Sequence, residues 1–497
     1  MIAHRAVFAI DTLPILPLPL SLFFEKVFVQ LWSNISTCLK SVVPTCFTPI
    51  SYTTFTTASH PGPRPTPEEN KAPPAQPFLN GRKPLNIVII GGSCAALFAA
   101  TLLKRQGHNI RILESAPSSS REGLAAGIGL AAPVKRFFDE NDRLKDIPFG
   151  TPNDTINFLD ADMQVKQMVQ VGLIMTTWDA TYYRLRANFD ALRSSYCAEP
   201  PGMERDEGEG VFETGKRATG VEEVVDGLIV VVEDVGTHEQ LRYEADIVIA
   251  ADGANSNMRR QLEPQLQRDE PGYVIWRGTV PTADLSQELL DKIEGHTIFY
   301  PMQHSYAVIY TIPGENGTLA PGSRHINFAW YFWPTPSVPT SAILSDTNNH
   351  QHRTTLPKGL MRPEIWSAQL SHAEKMFHPL LYSLISQIKE PFVSVISSIT
   401  SPRARYMNNR LFLIGDALAQ VQPNTGQGTN LAALDAMMLG DVVKGDLSAE
   451  AWERRVLEVS GQESAKAKGF AKGWLGEAGW AVGRTWGFVR LCGGCYV

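Results

Sequence analysis

The sequence predicts an α/β fold in which a helix-covered parallel sheet is interrupted by an inserted β-rich domain. Three apolar strands, starting at Leu85, Ile247 and Leu411, each end in a polar or glycine-containing turn before a helix. Continuous apolar strands that alternate with helices are typical of a parallel sheet buried on both faces. Between the second and third strands, residues 269–400 are rich in β-branched and aromatic residues, which favours further strands.

The first strand, Leu85–Ile90, runs directly into a glycine turn and an apolar helix. Gly91 occupies the first glycine position of a dinucleotide-binding turn, whereas Ser93 and Ala96 replace the other two glycines. A second strand then delivers Glu114, about twenty residues further on, where an acid can accept ribose hydroxyl groups. This order predicts a pyrophosphate at the N-terminus of the helix, and an ordinary βαβ unit is the alternative.

The third strand carries the most informative motif. It ends in Gly415-Asp416, and Pro423 and a loop bracketed by glycines then open a helix predicted over 431–439. A helix start offers unpaired N–H groups and the positive end of a dipole. Because Asp416 at the strand end can hold a sugar-like hydroxyl, the motif suits an anionic cofactor with a polyol arm.

The second strand, Ile247–Ala250, is followed by Asp252-Gly253 and a polar turn that leads to a helix near Arg259. Two interpretations remain open for this segment. The segment is a strand-end turn in which Ser256 caps the helix, or it has the role that the family resemblance given below implies.

The three motifs, in this order, resemble those of the FAD-dependent aromatic hydroxylases, the group A flavin monooxygenases. Further stretches narrow the likeness to 2,6-dihydroxypyridine 3-monooxygenase-like enzymes: 176–186, 273–278, 324–331 and 391–392. The resemblance runs from Pro84 to Arg455. It implies a Rossmann-like FAD-binding domain with an inserted β-rich substrate domain, the p-hydroxybenzoate hydroxylase-like fold.

The resemblance also implies a set of cofactor-binding residues, with Asp416 at the ribityl chain and the 426–428 loop beside the isoalloxazine ring. The Asp252 segment would touch both the pyrophosphate region and the pyridine nucleotide. Tyr183 and Gln422 stand where the family often has Arg and His, which puts the substrate in question more than the cofactor. The full set is Gly91, Ser93, Glu114, Ala126, Gly127, Arg184, Asp252, Asp416, Gly426, Gly428 and Thr429.

The activity implied by the resemblance is that of a monooxygenase. NAD(P)H would dock transiently, since a single dinucleotide fingerprint is visible, and reduce FAD; O₂ would then form a C4a-hydroperoxyflavin. One oxygen atom would pass to a phenol, a hydroxypyridine-like ring or a related natural product. Other readings of the same fold are a flavin oxidase or dehydrogenase, a redox-sensitive flavin-binding module, and an epoxidase of a larger secondary metabolite.

No catalytic residue is assigned, although ionising the substrate requires a base or hydrogen-bond acceptor. The candidates are His296, His304, Tyr300 and Tyr306, for each of which a structural role is the commoner outcome. One or two aromatic residues of the insert are also expected in a pocket for a flat ring, among Phe299, Tyr300, Tyr306, Trp330 and Trp333.

Composition excludes other classes of function. The chain has 497 residues, a formal net charge of −6 and a sequence pI near 6.0, so a nucleic-acid partner is not expected. The 6 cysteines are scattered, so they predict neither a disulfide framework nor a metal site. No hydrolase elbow or zinc-protease motif is found, so the cofactor must carry the chemistry.

The chain divides into five segments. Residues 1–80 are interpreted as a disordered or targeting extension that activity does not need, because their Pro-rich and Ser/Thr-rich stretches offer no core. Prolines and a charge pair make a membrane span over 13–32 the less favoured interpretation, and a cytoplasmic location is expected. FAD-binding parts (81–268 and 401–460) flank the substrate domain (269–400), and the tail (461–497) covers the sheet or contacts a second subunit in a homodimer.

Overall fold

The computed structural model describes residues 83–118, 127–336 and 338–476. The N-terminal extension with its apolar segment 13–32, Ala126 and the end of the tail lie outside these residues. In the described part of the chain, no helix combines the length and the apolar character needed to cross a membrane.

The strands and helices are numbered along the chain. The strands are β1 (Asn86–Ile90), β2 (Asn109–Leu113), β3 (Gly127–Leu130), β4 (Thr151–Leu159), β5 (Val165–Thr177), β6 (Gly210–Glu213), β7 (Lys216–Val224), β8 (Gly227–Asp234), β9 (Gln240–Ala245), β10 (Ile247–Ala250), β11 (Val274–Pro281), β12 (His296–Met302), β13 (Ser305–Ile312), β14 (His325–Phe332), β15 (Thr355–Leu356), β16 (Phe392–Val395), β17 (Ile399–Thr400), β18 (Arg405–Tyr406), β19 (Leu411–Leu413) and β20 (Ala419–Gln420). The α-helices are α1 (Cys94–Arg105), α2 (Ala132–Asn141), α3 (Trp178–Asp190), α4 (Asn257–Leu262), α5 (Gln287–Ile293), α6 (Thr340–Ile343), α7 (Pro363–Met376), α8 (Pro379–Ile385), α9 (Gly428–Lys444) and α10 (Ala449–Leu475).

The predicted parallel sheet is present. Among the described residues its order is β18-β19-β10-β1-β2-β6, and every pair except β18–β19 is parallel. The three strands that carry the sequence motifs, β1, β10 and β19, are therefore neighbours. Because the carboxyl ends of parallel strands meet at one edge, their turns share one end of the sheet.

The β-rich domain is built on a second sheet with the order β15-β16-β11-β14-β13-β12-β4-β5-β3. Its pairs are antiparallel apart from β12–β4. Three of these strands, β3 to β5, come from residues 127–177, which the sequence segmentation assigned to the FAD-binding part. The boundary at residue 269 thus misses a third of the sheet, since pairing over such sequence distances leaves no local signal.

Residues 216–245 form a small sheet of their own. Strands β7, β8 and β9 make a separate antiparallel sheet, and only β10 joins the parallel one. Val230 and Val232 of β8 are fully buried and belong to the same core as β1 and β10. This small sheet therefore packs beside the parallel sheet without extending it.

The two faces of the large sheet bury different partners, as the alternation of side chains along a strand requires. Val274 and Trp276 of β11 point into a core closed by helices α5, α7 and α8. Tyr273 and Ile275 point to the opposite face, which carries the aromatic residues Phe299, Tyr306 and Tyr331. This second face is the one that contributes to the site.

The helical segment 363–385 consists of two helices, α7 and α8. The first helix ends before Phe377, and Pro379 is the first residue of the second helix. Proline fits this position because the N–H of a first helical residue has no acceptor within the helix. The His378 ring accepts a hydrogen bond from the Leu380 N–H at 3.2 Å.

Helix α10 joins the two domains across the predicted boundary at residue 460. Near its start, Trp452 is fully buried against Phe412 of the parallel sheet. Towards its end, Phe470 and Trp474 pack on Phe299 of the large sheet, with ring centroids 5.6 and 4.9 Å away. Residues 461–475 of the tail therefore cover the large sheet, which was one of the two expectations.

The turn after β19 depends on a buried carboxylate. Gly415 has φ +58°, and a Cβ added there would lie 2.7 Å from Cβ of Ala95. Its N–H donates to Oδ2 of Asp435 on α9 at 2.9 Å, while Oδ1 of Asp435 has no partner among the described residues. Burial raises the pKa of Asp435 to about 7, although the Gly415 hydrogen bond opposes the shift. The folded protein thus retains a proton that the unfolded chain loses at lower pH.

The raised pKa of Asp435 predicts the direction in which the free energy of unfolding changes with pH. Asp435 costs stability progressively as pH rises from near 4 to 7, so Asp435→Asn, which keeps an acceptor but cannot ionise, removes that cost. We expect the difference in free energy of unfolding, variant minus wild type, to increase by roughly 1–3 kcal/mol between pH 5 and pH 8. Thermal and urea unfolding at both pH values measure it, and a difference that does not change with pH would contradict the prediction.

Candidate functional site

The turn between β1 and α1 has the geometry of a phosphate cradle. Gly91 has φ +98°, and a Cβ there would lie 2.4 Å from the carbonyl oxygen of Ala251. Ser93 is the N-cap residue of α1, but its side chain makes no capping hydrogen bond. Glu114 lies beside the turn and accepts the N–H of Gly92 at 2.8 Å. The helix start and the acid are adjacent, as a bound dinucleotide requires.

Asp252 stabilises the start of α4 through hydrogen bonds. Its carboxylate accepts the Ser256 hydroxyl at 2.6 Å and the Asn257 N–H at 2.7 Å, while Ser256 caps the helix by accepting the Arg259 N–H. The capping interpretation of this segment is thus correct. The contact of Asp252 with a cofactor stays a prediction.

Arg259 is the reason that this capped helix matters to the site. Its Nη1 donates to the carbonyl oxygens of Asp416 and Ala417 at 2.8 and 2.7 Å. Burial, aided by the charge of Arg268, lowers the pKa of Arg259 to about 10. Arg259 therefore fixes the main chain of the Gly-Asp turn and leaves the carboxylate of Asp416 to the cavity.

The carboxylate of Asp416 lies in the wall of that cavity. Burial raises its pKa to about 6, and the positive charges of Arg259 and Arg268 oppose the rise. Near neutral pH the group is an anionic acceptor with little competing hydration, which suits a hydroxyl donor of a polyol.

The loop Pro423–Gly428 continues the same wall. Gly426 adopts φ +67° at the end of a short 3₁₀ turn, and Oγ1 of Thr425 is buried without a partner in the described structure. Helix α9 begins at Gly428, earlier than the predicted 431, and its N-cap residue Gln427 makes no side-chain cap. The first turn of α9 therefore presents its amides to the cavity.

The cavity has a volume of about 580 Å³, within the usual range for ligand pockets. One side is formed by Asp416 and the loop up to Asn430, and the other by strands of the large sheet and by Phe470 of α10. Its apolar lining includes Ile156, Phe158, Val169, Leu173, Met175, Ile275, Phe299, Val308, Tyr310, Ala329 and Tyr331. A flat ring system and an aromatic ligand would find mostly apolar surface here.

Of the predicted cofactor residues, five line this cavity: Gly127, Asp416, Gly426, Gly428 and Thr429. The N–H of Gly127 donates to Asn327, and its carbonyl accepts the Tyr310 hydroxyl at 2.8 Å. Gly91, Ser93 and Glu114 lie together at the turn before α1, outside the cavity lining. Ala126 lies outside the described residues.

The side chain of Arg184 does not line the cavity. Its Nε donates to Asp142 at 2.8 Å, and its Nη2 donates to the carbonyls of Leu144 and Ile147. The guanidinium also lies over the ring of Phe149. This arrangement gives the predicted FAD contact of Arg184 no support, since the side chain already stabilises the segment after α2.

The four candidate bases are not gathered at the cavity. Tyr300 points to the opposite face of the sheet and stacks on Phe377. His296 bonds with Thr155, and His304 occupies the β12–β13 turn. Tyr306 is fully buried behind the wall, where its hydroxyl accepts from Nδ2 of Asn424 at 2.7 Å.

The two departures from the family are both buried, and neither lines the cavity. Tyr183 is buried and stacks on Tyr196. The side-chain carbonyl of Gln422 accepts the Tyr273 hydroxyl at 3.1 Å, and Asn424 contacts the same hydroxyl at 3.2 Å. Neither Tyr183 nor Gln422 lines the cavity, so these two positions do not set its shape directly.

Sequence reasoning missed several residues of the wall. Of the expected aromatic residues, Phe299 lines the cavity, while Trp330 belongs to the core on the other face. Arg277 and Tyr310 were not proposed, yet both line it. Strand alternation could have found Arg277, since it shares a face with Ile275. Nothing local could have placed Phe470.

These features fit FAD. The turn before α1 and the Asp416 turn follow the carboxyl ends of β1 and β19 in the same parallel sheet, and the start of α9 lines one cavity with Asp416. The cradle tolerates no side chain at Gly91. The loop and the apolar sheet wall enclose the space that an isoalloxazine ring would need.

Known proteins share this architecture. A family model described as FAD binding domain-like matches residues 271–398. The chain is 25% identical over 376 residues to 2,6-dihydroxypyridine 3-monooxygenase of Paenarthrobacter nicotinovorans, covering 75% of this chain and 87% of that protein. It is 25% identical over 362 residues to 6-hydroxynicotinate 3-monooxygenase of Bordetella bronchiseptica, covering 71% and 81%.

A solved structure confirms the fold class. The structure of 2,6-dihydroxypyridine-3-hydroxylase from Arthrobacter nicotinovorans superposes with a TM-score of 0.67 at 23% identity, covering 80% of this chain and 94% of that one. The predicted FAD-binding sheet with a β-rich insert is therefore correct, as is the resemblance read from the motifs. In its fold and in these relatives, the chain is similar to the FAD-dependent aromatic hydroxylases.

Proposed function

We propose that the chain is an FAD- and NAD(P)H-dependent monooxygenase that inserts one oxygen atom of O₂ into an aromatic substrate resembling a phenol or hydroxypyridine. The observation that best supports this proposal is that the Gly-Asp turn and the loop before α9 face an apolar sheet across one shared cavity. The named activities of the two relatives, both 3-monooxygenases of hydroxypyridine-type compounds, support the reaction and the substrate class.

FAD would be held by the cradle before α1, by Glu114, by Asp416 and by the start of α9. When bound and reduced, it supplies the activation of O₂, which the side chains of the protein cannot perform. The task of the protein is to bind FAD, to orient the substrate ring and to shield both from water. Arg259 and Asp435 contribute by holding the turn that positions Asp416.

Exclusion of water is the second task, because a reactive oxygen species in an open site would be lost to solvent. The side of the cavity opposite the loop carries Phe158, Val169, Leu173 and Phe299, and Phe470 of α10 closes it from the tail. These groups offer no hydrogen bonds to water. They also fit a flat ring, which would hold a ring carbon in a fixed place.

The cofactor assignment predicts that Asp416→Ala weakens FAD. Loss of a hydrogen bond to a charged acceptor costs roughly 1–3 kcal/mol, so the dissociation constant for FAD should rise about 5- to 150-fold. Fluorescence quenching of free FAD by the apoprotein measures the constant.

The matched control is Asp291→Ala, which removes one carboxylate from an exposed position of α5. It should bind FAD as the wild type does. An Asp416→Ala protein that folds normally and retains wild-type affinity would show that this carboxylate does not contact FAD.

The reaction type predicts three linked observations with the FAD-loaded enzyme. Substrate should stimulate NAD(P)H oxidation, O₂ should be consumed, and the product should be one oxygen atom heavier. A panel of phenols and hydroxypyridines, which includes 2,6-dihydroxypyridine and 6-hydroxynicotinate, provides the substrates. With ¹⁸O₂, mass spectrometry should find the label in the organic product only when NAD(P)H is present.

An oxidase or dehydrogenase would behave differently. Its substrate would bleach the flavin anaerobically without NAD(P)H, and no label would enter the product. That result would overturn the proposed reaction while the FAD-binding fold remained valid.

A further inference from the structure

Arg277 is a charged side chain of the cavity wall that has no role in the proposed function and no side-chain partner among the described residues. Three charged residues line the cavity: Arg268, Arg277 and Asp416. The guanidinium of Arg268 donates to Ser397 at 2.9 Å and to the carbonyl of Ala254 at 2.6 Å. Asp416 lies within the field of Arg259 and Arg268.

The side chain of Arg277, in contrast, makes no hydrogen bond and no ion pair within the described residues, and its Nε is buried without a partner. A guanidinium carries five N–H donors and stays charged at all relevant pH values. Arg277 is half-buried among apolar side chains, where its N–H donors favour an anionic partner. The wall thus holds a cation whose side-chain donors no described residue accepts.

The strand register shows why the guanidinium is open to the cavity. On β11, Arg277 lies on the same face as Ile275, and its neighbour on β14 is Ala329, which in turn pairs with Val308. All four residues line the cavity. Ala329 carries only a methyl group, so this directly paired residue leaves the guanidinium room; on the other side Arg277 pairs with Phe392 of β16.

Tyr310 supports this placement. Its hydroxyl is committed to the carbonyl oxygen of Gly127. Burial raises the pKa of Tyr310, and the charge of Arg277 opposes that rise, as expected for a cation in the same wall.

We propose that Arg277 binds an anionic oxygen group on the aromatic substrate and selects such rings over neutral ones. This inference rests on the proposed function. The group is a ring carboxylate or an ionised ring hydroxyl. The planar fork of a guanidinium matches two oxygens at once, which fixes the orientation of the ring as well as its charge. Arg277 is a specificity-determining residue, and the ring hydroxylation itself does not require it to transfer a proton.

The test uses two pairs of ligands with the FAD-loaded full chain at pH 8. One pair is 6-hydroxynicotinate and 2-hydroxypyridine, which differ by the carboxylate. The other is 2,6-dihydroxypyridine and 2,6-dimethylpyridine, which differ in the ionisable oxygens. Changes in the flavin absorption spectrum give each dissociation constant for the wild type, Arg277→Met, Arg277→Lys and the control Arg455→Met, which removes an exposed cation of α10.

We expect the wild type to bind the anionic member of at least one pair about ten-fold or more tightly than its neutral partner. The pair that shows the preference identifies the group, carboxylate or ring oxyanion. Arg277→Met should weaken the anionic ligand roughly 10- to 100-fold and leave the neutral one nearly unchanged. Arg277→Lys should retain part of the preference, and Arg455→Met all of it.

Equal binding of both members of each pair by the wild type would overturn the inference, and this arm needs no variant to fold. A loss in Arg277→Met that is the same for anionic and neutral rings, or that falls on the KM for NAD(P)H instead, would also overturn it. In those cases stimulated NAD(P)H oxidation would leave the proposed function standing. If no ring bound and none stimulated oxidation, the proposed function would fail, and this inference with it.

Discussion

The turn at Gly415-Asp416 is the constraint on which the site depends. It lies at the carboxyl end of β19, where the chain must leave the sheet without a side chain at Gly415. Asp435 holds its N–H and Arg259 holds two of its carbonyls, so the turn is fixed from both sides. One of these anchors is a carboxylate whose ionisation is disfavoured by burial. Asp435 therefore costs stability above the ordinary pKa of a carboxyl group while it holds the turn that carries Asp416.

The large sheet supplies the other half of the site through strand alternation. One face packs against helices α5, α7 and α8 to form a core. The opposite face forms an apolar cavity wall in which, among the described residues, Arg277 is the one cation whose side chain has no partner. Helix α10 ties the wall to the parallel sheet by burying Trp452 at one end and Phe470 at the other. One continuous helix therefore packs on both the parallel sheet and the large sheet.

Local patterns predicted what is local. The strands β1, β10 and β19, their turns and the insertion of a β-rich domain follow from apolar runs and turn residues. Long-range pairing did not: β3–β5 join the large sheet, and Arg184 is held by Asp142, 42 residues away in sequence. The break before Pro379 and the inward face of Arg277 were available from simple rules, helix-breaking by proline and the two-residue period of strands. The position of Phe470 depends on where a long helix docks, which no local pattern encodes.

The central claim is that the turn, the loop before α9 and the large sheet enclose the flavin ring together. A crystal structure of the full chain with FAD tests this most directly. The account predicts the pyrophosphate at the start of α1, a ribityl hydroxyl within hydrogen-bonding distance of Asp416, and the isoalloxazine ring between the Pro423–Gly428 loop and the wall that carries Arg277. An isoalloxazine ring bound outside that cavity, or a ribityl chain remote from Asp416, would contradict it.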